Sequence, residues 1–241
     1  MNFSGKSFLI TGSARRLGRE IALALAANGA DIVLHHAHST EQAEQVAGMI
    51  HRLGRKAWII ESDISDPQNA ESLIDHAWQI TPLDGVVNNA AVFHKEEWFD
   101  TSIDLWQETL NLNLTAPFLI SKAFAKNLSD FNTGTIVNML DWRAMRPGKD
   151  HLAYSISKAA LGALTHSLAQ AFAPRISVNA LALGAVLPPS NEPVDPEIEK
   201  KIPLKRWATI DELGNAVMFL LSAPPELTGE IIYLDGGRHL N

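Results

Sequence analysis

With 241 residues, 46% of them hydrophobic, the chain is long enough to bury one large core. It contains no cysteine, which excludes a disulfide frame, a thiolate nucleophile and a cysteine metal site. Its net charge of −7 argues against nucleic acid as a partner, and no apolar stretch reaches the roughly 18 residues needed to span a bilayer.

Met1 to Lys6 leads straight into a strand-like run with no signal-peptide pattern, so a cytoplasmic protein without membrane partners is expected. Ser7-Phe8-Leu9-Ile10 reads as a buried parallel strand, and helical spacing of apolar residues follows from Leu17 to Ala27. Between them lies Thr11-Gly12-Ser13-Ala14-Arg15-Arg16-Leu17-Gly18. A glycine-containing turn that opens a helix offers backbone N–H groups and the positive helix end to an anion. An ordinary βα turn has the same pattern.

Asp31 to His36 is the second strand, followed by His36-Ala37-His38-Ser39-Thr40. No carboxylate stands there to hold a ribose hydroxyl, while Arg15 is available in the glycine turn, a combination that suits the 2′-phosphate of NADP(H). His36 and His38 share a strand face, but no fitting third ligand is evident nearby, so no metal site is expected.

Glu41 to Leu53 reads as helix, and Lys56 to Glu61 as the third strand, ending in Ser62-Asp63. Asp66 is a candidate N-cap for a helix to about Trp78. Leu83 to Val87 forms strand four and runs into Asn88-Asn89-Ala90-Ala91. One long helix is expected from Ile103 to Asn127, with Pro117 inside it and Asn113 a solvent-facing or locally bonded amide. Thr135 to Leu140 is strand five, with Asp141 at its end.

Tyr154 and Lys158 are four apart and share one face of the helix that runs to about Phe172. An ammonium near a phenol favours the phenolate, so a lowered tyrosine pKa is expected. Arg175 to Leu181 is strand six, and a proline-rich segment follows, read as a substrate lid over residues 186–207. Asp211 is read as the cap of a last helix to Leu221, and Ile231 to Leu234 as strand seven before Asp235-Gly236-Gly237. Alternating strands and helices predict a single α/β domain: a doubly wound, seven-stranded parallel sheet of Rossmann type with helices on both faces. Right-handed crossovers then bring residues 11–18, 88–93, Asp141 and Gly184 to one sheet edge.

Together these residues resemble the short-chain dehydrogenase/reductase family along essentially the whole chain. The motifs are Thr11-Gly12-x-x-x-x-Leu17-Gly18, Asn88-Asn89-Ala90, Asn113, Tyr154-x-x-x-Lys158, Asn179 before Gly184, and Leu234-Asp235-Gly236-Gly237. The resemblance implies Tyr154 as proton donor, Lys158 as its partner and ribose ligand, and Asn113 as support for a relay water. It implies an NADPH site at Gly12, Arg15, Arg16, Leu17, Gly18, His36, His38, Ser39, Asp63, Ile64, Asn89, Ala90, Tyr154, Lys158, Gly184 and Val186. A homotetramer is implied as well.

Three departures stand out: Arg16 for the usual middle glycine, Asp141 for the usual serine, and Leu183 for the usual proline. The first two, with Phe93, resemble the pteridine reductase branch, which includes dihydromonapterin and dihydrobiopterin reductases. That likeness implies a small-molecule pterin-like substrate held by Arg16, Phe93, Asp141 and Tyr154, with Asp141 partnering the tyrosine in catalysis. Trp98 and Trp142 either line the pocket or pack. The alternatives are a carbonyl or 3-oxoacyl-thioester reductase of the same family and a non-catalytic dinucleotide-sensing protein.

Overall fold

The computed structural model describes residues 1–94, 98–129, 132–148, 150–188 and 197–241, with Trp98 represented by its backbone. Strands β1 (Ser7–Ile10), β2 (Asp31–His36), β3 (Ala57–Glu61), β4 (Gly85–Asn88), β5 (Gly134–Asp141), β6 (Ile176–Leu183) and β7 (Ile231–Leu234) form one sheet. All are parallel, in the order β3-β2-β1-β4-β5-β6-β7. Helices α1 (Arg16–Ala27), α2 (Thr40–Arg52), α3 (Pro67–Ile80), α4 (Ile103–Leu110), α5 (Ala116–Asn127), α6 (Leu152–Phe172), α7 (Glu197–Lys200) and α8 (Ile210–Ser222) connect the strands.

The unbroken apolar strands follow from having both faces covered. Phe8 and Ile10 of β1 pack with Ile21 and Leu25 of α1 and with Leu213 and Val217 of α8. Leu9, pointing the other way, packs with Leu73 and Ile74 of α3 and Ile120 of α5. Strand order reverses between β1 and β4, and the crevice at the carboxyl ends beside that seam is where an open α/β sheet presents its ligand site.

Three expectations need correction. The long helix is interrupted: Asn111–Thr115 forms a π turn between α4 and α5, and Pro117 lies in the first turn of α5, where no N–H is needed. The cap of α8 is Thr209, not Asp211. Its hydroxyl accepts from the Glu212 N–H at 3.2 Å while the Glu212 carboxylate accepts from the Thr209 N–H at 2.8 Å. Asp211 is one residue too far inside the helix to cap it. β6 runs on to Leu183, because the backbone ladder with β7 continues as far as Leu183–Leu234.

Part of the expected lid, residues 189–196, lies outside the described residues. The rest docks on the chain's tail: Ile202 is buried against Gly236, and the Leu204 N–H donates to the Gly236 carbonyl at 3.2 Å. No helix among the described residues is long and apolar enough to cross a membrane.

Candidate active site

The glycine turn is closed by close backbone approaches. Gly12 has φ +65°, and a Cβ there would stand 3.1 Å from Ala90 Cα. A Cβ on Gly18 would stand 2.9 Å from the Gly12 carbonyl carbon, so neither position accepts a side chain without moving the turn. Arg16 fills the αL position, φ 51°, where glycine is the cheaper residue. Its guanidinium reaches over to donate to the Pro188 carbonyl at 2.8 Å. The Thr11 hydroxyl oxygen accepts from the N–H groups of Asn89 and Ala90, each at 2.9 Å, and ties the turn to the loop after β4.

His35 pins the same turn from β2. Its Nδ1 accepts from the Gly12 N–H at 3.1 Å, so Nε2 carries the hydrogen and donates to the Ser62 carbonyl at 2.9 Å. Burial pushes its pKa down to about 4, with the neighbouring His36 adding to the fall, so the ring is neutral. Sequence reasoning missed this residue. A histidine at the end of an apolar strand run gives no sign of which turn it will meet.

At the reacting end, β5 delivers Asp141 and α6 delivers Tyr154 and Lys158. The Tyr154 hydroxyl donates to Asp141 Oδ2 at 3.1 Å, and Asp141 Oδ1 accepts from the Arg143 N–H at 2.8 Å. Lys158 Nζ donates to the Met139 carbonyl at 2.8 Å and lies 5.8 Å from the centre of the Tyr154 ring. Burial raises the Asp141 pKa against the pull of Arg143, Tyr154 and Lys158.

The expected lowering of the tyrosine pKa is not met: it is raised well above 10.0, by burial first and then by the charge and hydrogen bond of Asp141. The ammonium that should have favoured the phenolate is itself pulled down to about 8 by burial, with Asp141 opposing. A carboxylate touching the phenol outweighs an ammonium that bonds elsewhere.

Asn113 is neither solvent-facing nor merely locally bonded. It is fully buried, accepts from the Val92 N–H at 2.9 Å, and donates to the Val92 carbonyl at 3.0 Å and to Ser157 Oγ at 3.1 Å. Ser157 in turn donates to the Tyr154 carbonyl at 2.7 Å. Phe93, next in the chain, is 55% exposed, so it is not core; its ring meets Tyr154 edge-on at 4.6 Å between centroids. Trp142 packs under Arg238, whose guanidinium carbon lies 4.1 Å from the ring centre, while the Trp98 side chain lies outside the described residues.

Gly12, Arg15, Arg16, Leu17, Gly18, His36, His38, Ser39, Asp63, Ile64, Asn89, Ala90, Phe93 and Tyr154 line one open cleft of about 480 Å³. Asp141, Lys158 and Asn113 are not on its wall and support Tyr154 from behind. Gly184 and Val186 are not on the wall either: Gly184 packs against Asp235, where a Cβ would meet Cα at 2.8 Å, and Val186 belongs to the apolar core. Val186 is carried there because Ala208 N–H bonds back to the Ala185 carbonyl at 3.0 Å.

The cleft fits a dinucleotide carrying an extra phosphate. The first turn of α1 has no acidic residue, and its N-cap Arg15 makes no side-chain cap, so the helix end is open to an anion. At the end of β2, His36 Nε2 is buried without a hydrogen-bond partner among the described residues, beside exposed His38. An orphaned nitrogen there suits a ligand oxygen.

Residues 12–239 match a family model described as "Enoyl-(Acyl carrier protein) reductase". A 3-oxoacyl-(acyl-carrier-protein) reductase FabG from Aquifex aeolicus is 32% identical over 98% of this chain and 98% of its own. The 2-dehydro-3-deoxy-D-gluconate 5-dehydrogenase of Bacillus subtilis is 31% identical, covering 98% of this chain and 95% of its own. Among solved structures, FolM alternative dihydrofolate reductase 1 from Brucella canis, complexed with NADP, is 32% identical with a TM-score of 0.90, covering 100% of this chain and 97% of that one.

Proposed function

This chain belongs to the short-chain dehydrogenase/reductase family of NAD(P)-dependent oxidoreductases, and on that premise we propose that it uses NADPH to reduce a dihydropterin to the tetrahydro form. The observation that carries the reading is the Asp141 carboxylate accepting the Tyr154 hydroxyl at 3.1 Å. A ketone reductase needs a neutral donor beside the tyrosine to polarise the carbonyl, and a carboxylate there repels the developing alkoxide. Reduction of a ring C=N has the opposite need, because the nitrogen must gain a proton.

NADPH, when bound, supplies the hydride. The Tyr154 hydroxyl gives its proton to the ring nitrogen, and Asp141, whose pKa burial raises so that it takes up a proton from solvent, passes that proton to the phenolate oxygen. Charged Lys158 steadies the phenolate while it lasts. Phe93 offers the flat ring a face in the same cleft, and Arg16 a cation at the glycine turn. Arg15, His36, His38 and Ser39 would hold the 2′-phosphate. The likeness to the NADP-complexed FolM protein supports both halves of the reading. A homotetramer accords with Ala159, Gly162 and Ala163 of α6, which line a mainly apolar groove.

The second reading, a 3-oxoacyl-thioester reductase, is favoured by the identity to FabG. A turnover panel separates the two: NADPH oxidation is followed with dihydromonapterin, dihydrobiopterin and dihydrofolate, and with a β-ketoacyl thioester and simple ketones. Turnover of a dihydropterin is expected; turnover of the carbonyl compounds alone would discard the pterin reading.

A further inference from the structure

His151 is the last residue before α6, in the αL conformation at φ 56°, an uncommon place for a residue that is not glycine. It is 5% exposed. Its Nδ1 lies 2.7 Å from the His94 carbonyl, an acceptor, so Nδ1 carries the hydrogen. Its ring lies on Phe93, centroids 4.0 Å apart and planes 13° apart. Phe93 lines the cleft and His151 does not, so the imidazole stands behind the phenyl ring.

Phe93 is thus fixed from both sides. Asn113 holds both backbone groups of Val92, His151 holds the carbonyl of His94, and the ring between them is backed by the imidazole and edged by Tyr154. One face of the phenyl is taken and the side chain is still 55% exposed. We infer that His151 is a specificity-determining positioning residue: by backing Phe93 it makes a rigid wall whose open face selects substrates with a flat aromatic ring. Tyr154 follows three residues later, in the first turn of α6, so this contact also sets the wall's distance from the proton donor. The inference builds on the pterin reading and names the contact that would give it ring selectivity.

His151→Asn separates the two contacts. Asparagine tolerates αL backbone and still donates to the His94 carbonyl, but it removes the ring behind Phe93. In the NADPH-loaded enzyme, the KM for a dihydropterin is expected to rise about two- to twelvefold, the loss of one aromatic pair, with kcat little changed. The inhibition constant of a non-aromatic β-ketoacyl thioester or alkyl ketone competing with the dihydropterin should not move. Phe93→Leu, at a half-exposed side chain, must show the same selectivity, and the double variant should be no worse than Phe93→Leu alone. Equal rises for flat and non-flat substrates, a fall in kcat alone, or additive effects in the double variant would overturn the inference. If the wild type reduced no pterin, the functional reading would fail by itself. An aryl and an alkyl ketone would then replace the pair: selective loss of the aryl ketone supports the role of His151, and equal loss overturns it.

Discussion

At the glycine-turn end of the cleft the buried group with a shifted pKa is His35; at the other end it is the trio Asp141, Tyr154 and Lys158. Burial acts on both, and to opposite effect. His35 bonds only two neutral backbone groups, and the opposing influences of His36 and Asp63 are small beside burial, so desolvation drives it to about 4 and leaves a neutral pin between Gly12 and Ser62. In the trio, burial raises the acid and the phenol and lowers the amine, bringing Lys158 to about 8. The same desolvation that silences an isolated group holds protons within reach of a substrate when the groups are coupled. One end is built for shape, the other for proton traffic, and substitutions at the two ends should differ in kind.

The largest effect belongs to the trio. Tyr154→Phe removes the hydroxyl that donates to Asp141 and keeps the ring that Phe93 touches. Its kcat for NADPH-dependent reduction should fall about 10²- to 10⁴-fold, the usual worth of a positioned proton donor, with little change in NADPH binding or thermal midpoint. A variant that keeps a tenth of its turnover would show that the proton comes from elsewhere.

His35→Leu should do the reverse, leaving the chemistry and loosening the frame. It strips partners from the Gly12 N–H and the Ser62 carbonyl, so unfolding by urea at pH 7 should be easier by about 2–4 kcal/mol and the KM for NADPH should rise. The pH dependence gives a cleaner signature. The folded pKa is depressed from 6.5 to about 4, so the unfolded chain binds the proton first as pH falls. Stability is present above 6.5 and lost between 6.5 and about 4, to the extent of about 3 kcal/mol, and His35→Leu should flatten that slope. An unchanged slope would mean that His35 is not the group being titrated.

The contrast also explains how much of each end could be read before the structure. The seven strands, the glycine turn and the Tyr154–Lys158 face come from local periodicity and spacing, and the chain forms them where those patterns place them. Thr209-x-x-Glu212 is a local signal too, a capping box that places the N-cap two residues before Asp211. The π turn at Asn111–Thr115 and the αL backbone of His151 have no local signal, because each is imposed by partners far along the chain: Val92 and Ser157 for Asn113, His94 and Phe93 for His151. The direction of the tyrosine shift has no local signal for a similar reason. Spacing shows that Lys158 shares a face with Tyr154, but not that its ammonium bonds the Met139 carbonyl while Asp141 takes the hydroxyl.

Asp141→Ser carries the smallest expected effect, because a hydroxyl replaces the carboxylate as a hydrogen-bond partner of Tyr154 and only the return of the proton is lost. Dihydropterin turnover should drop about tenfold at neutral pH, less than the roughly 10²- to 10⁴-fold worth of a direct proton donor, because Tyr154 still protonates the ring. In the wild type, turnover needs Asp141 able to carry a proton and Lys158 charged. Burial raises the first pKa, so turnover should rise as pH falls towards it; the second is about 8, so turnover should fall as pH climbs through that value. In Asp141→Ser the rise on the acid side should disappear. The alkaline fall should also move lower, because Asp141 is the group that holds the Lys158 pKa up against burial. A variant whose acid limb persisted would show that the proton is relayed by another group, while one that gained ketone turnover as it lost the pterin would tie the choice of substrate to this single carboxylate.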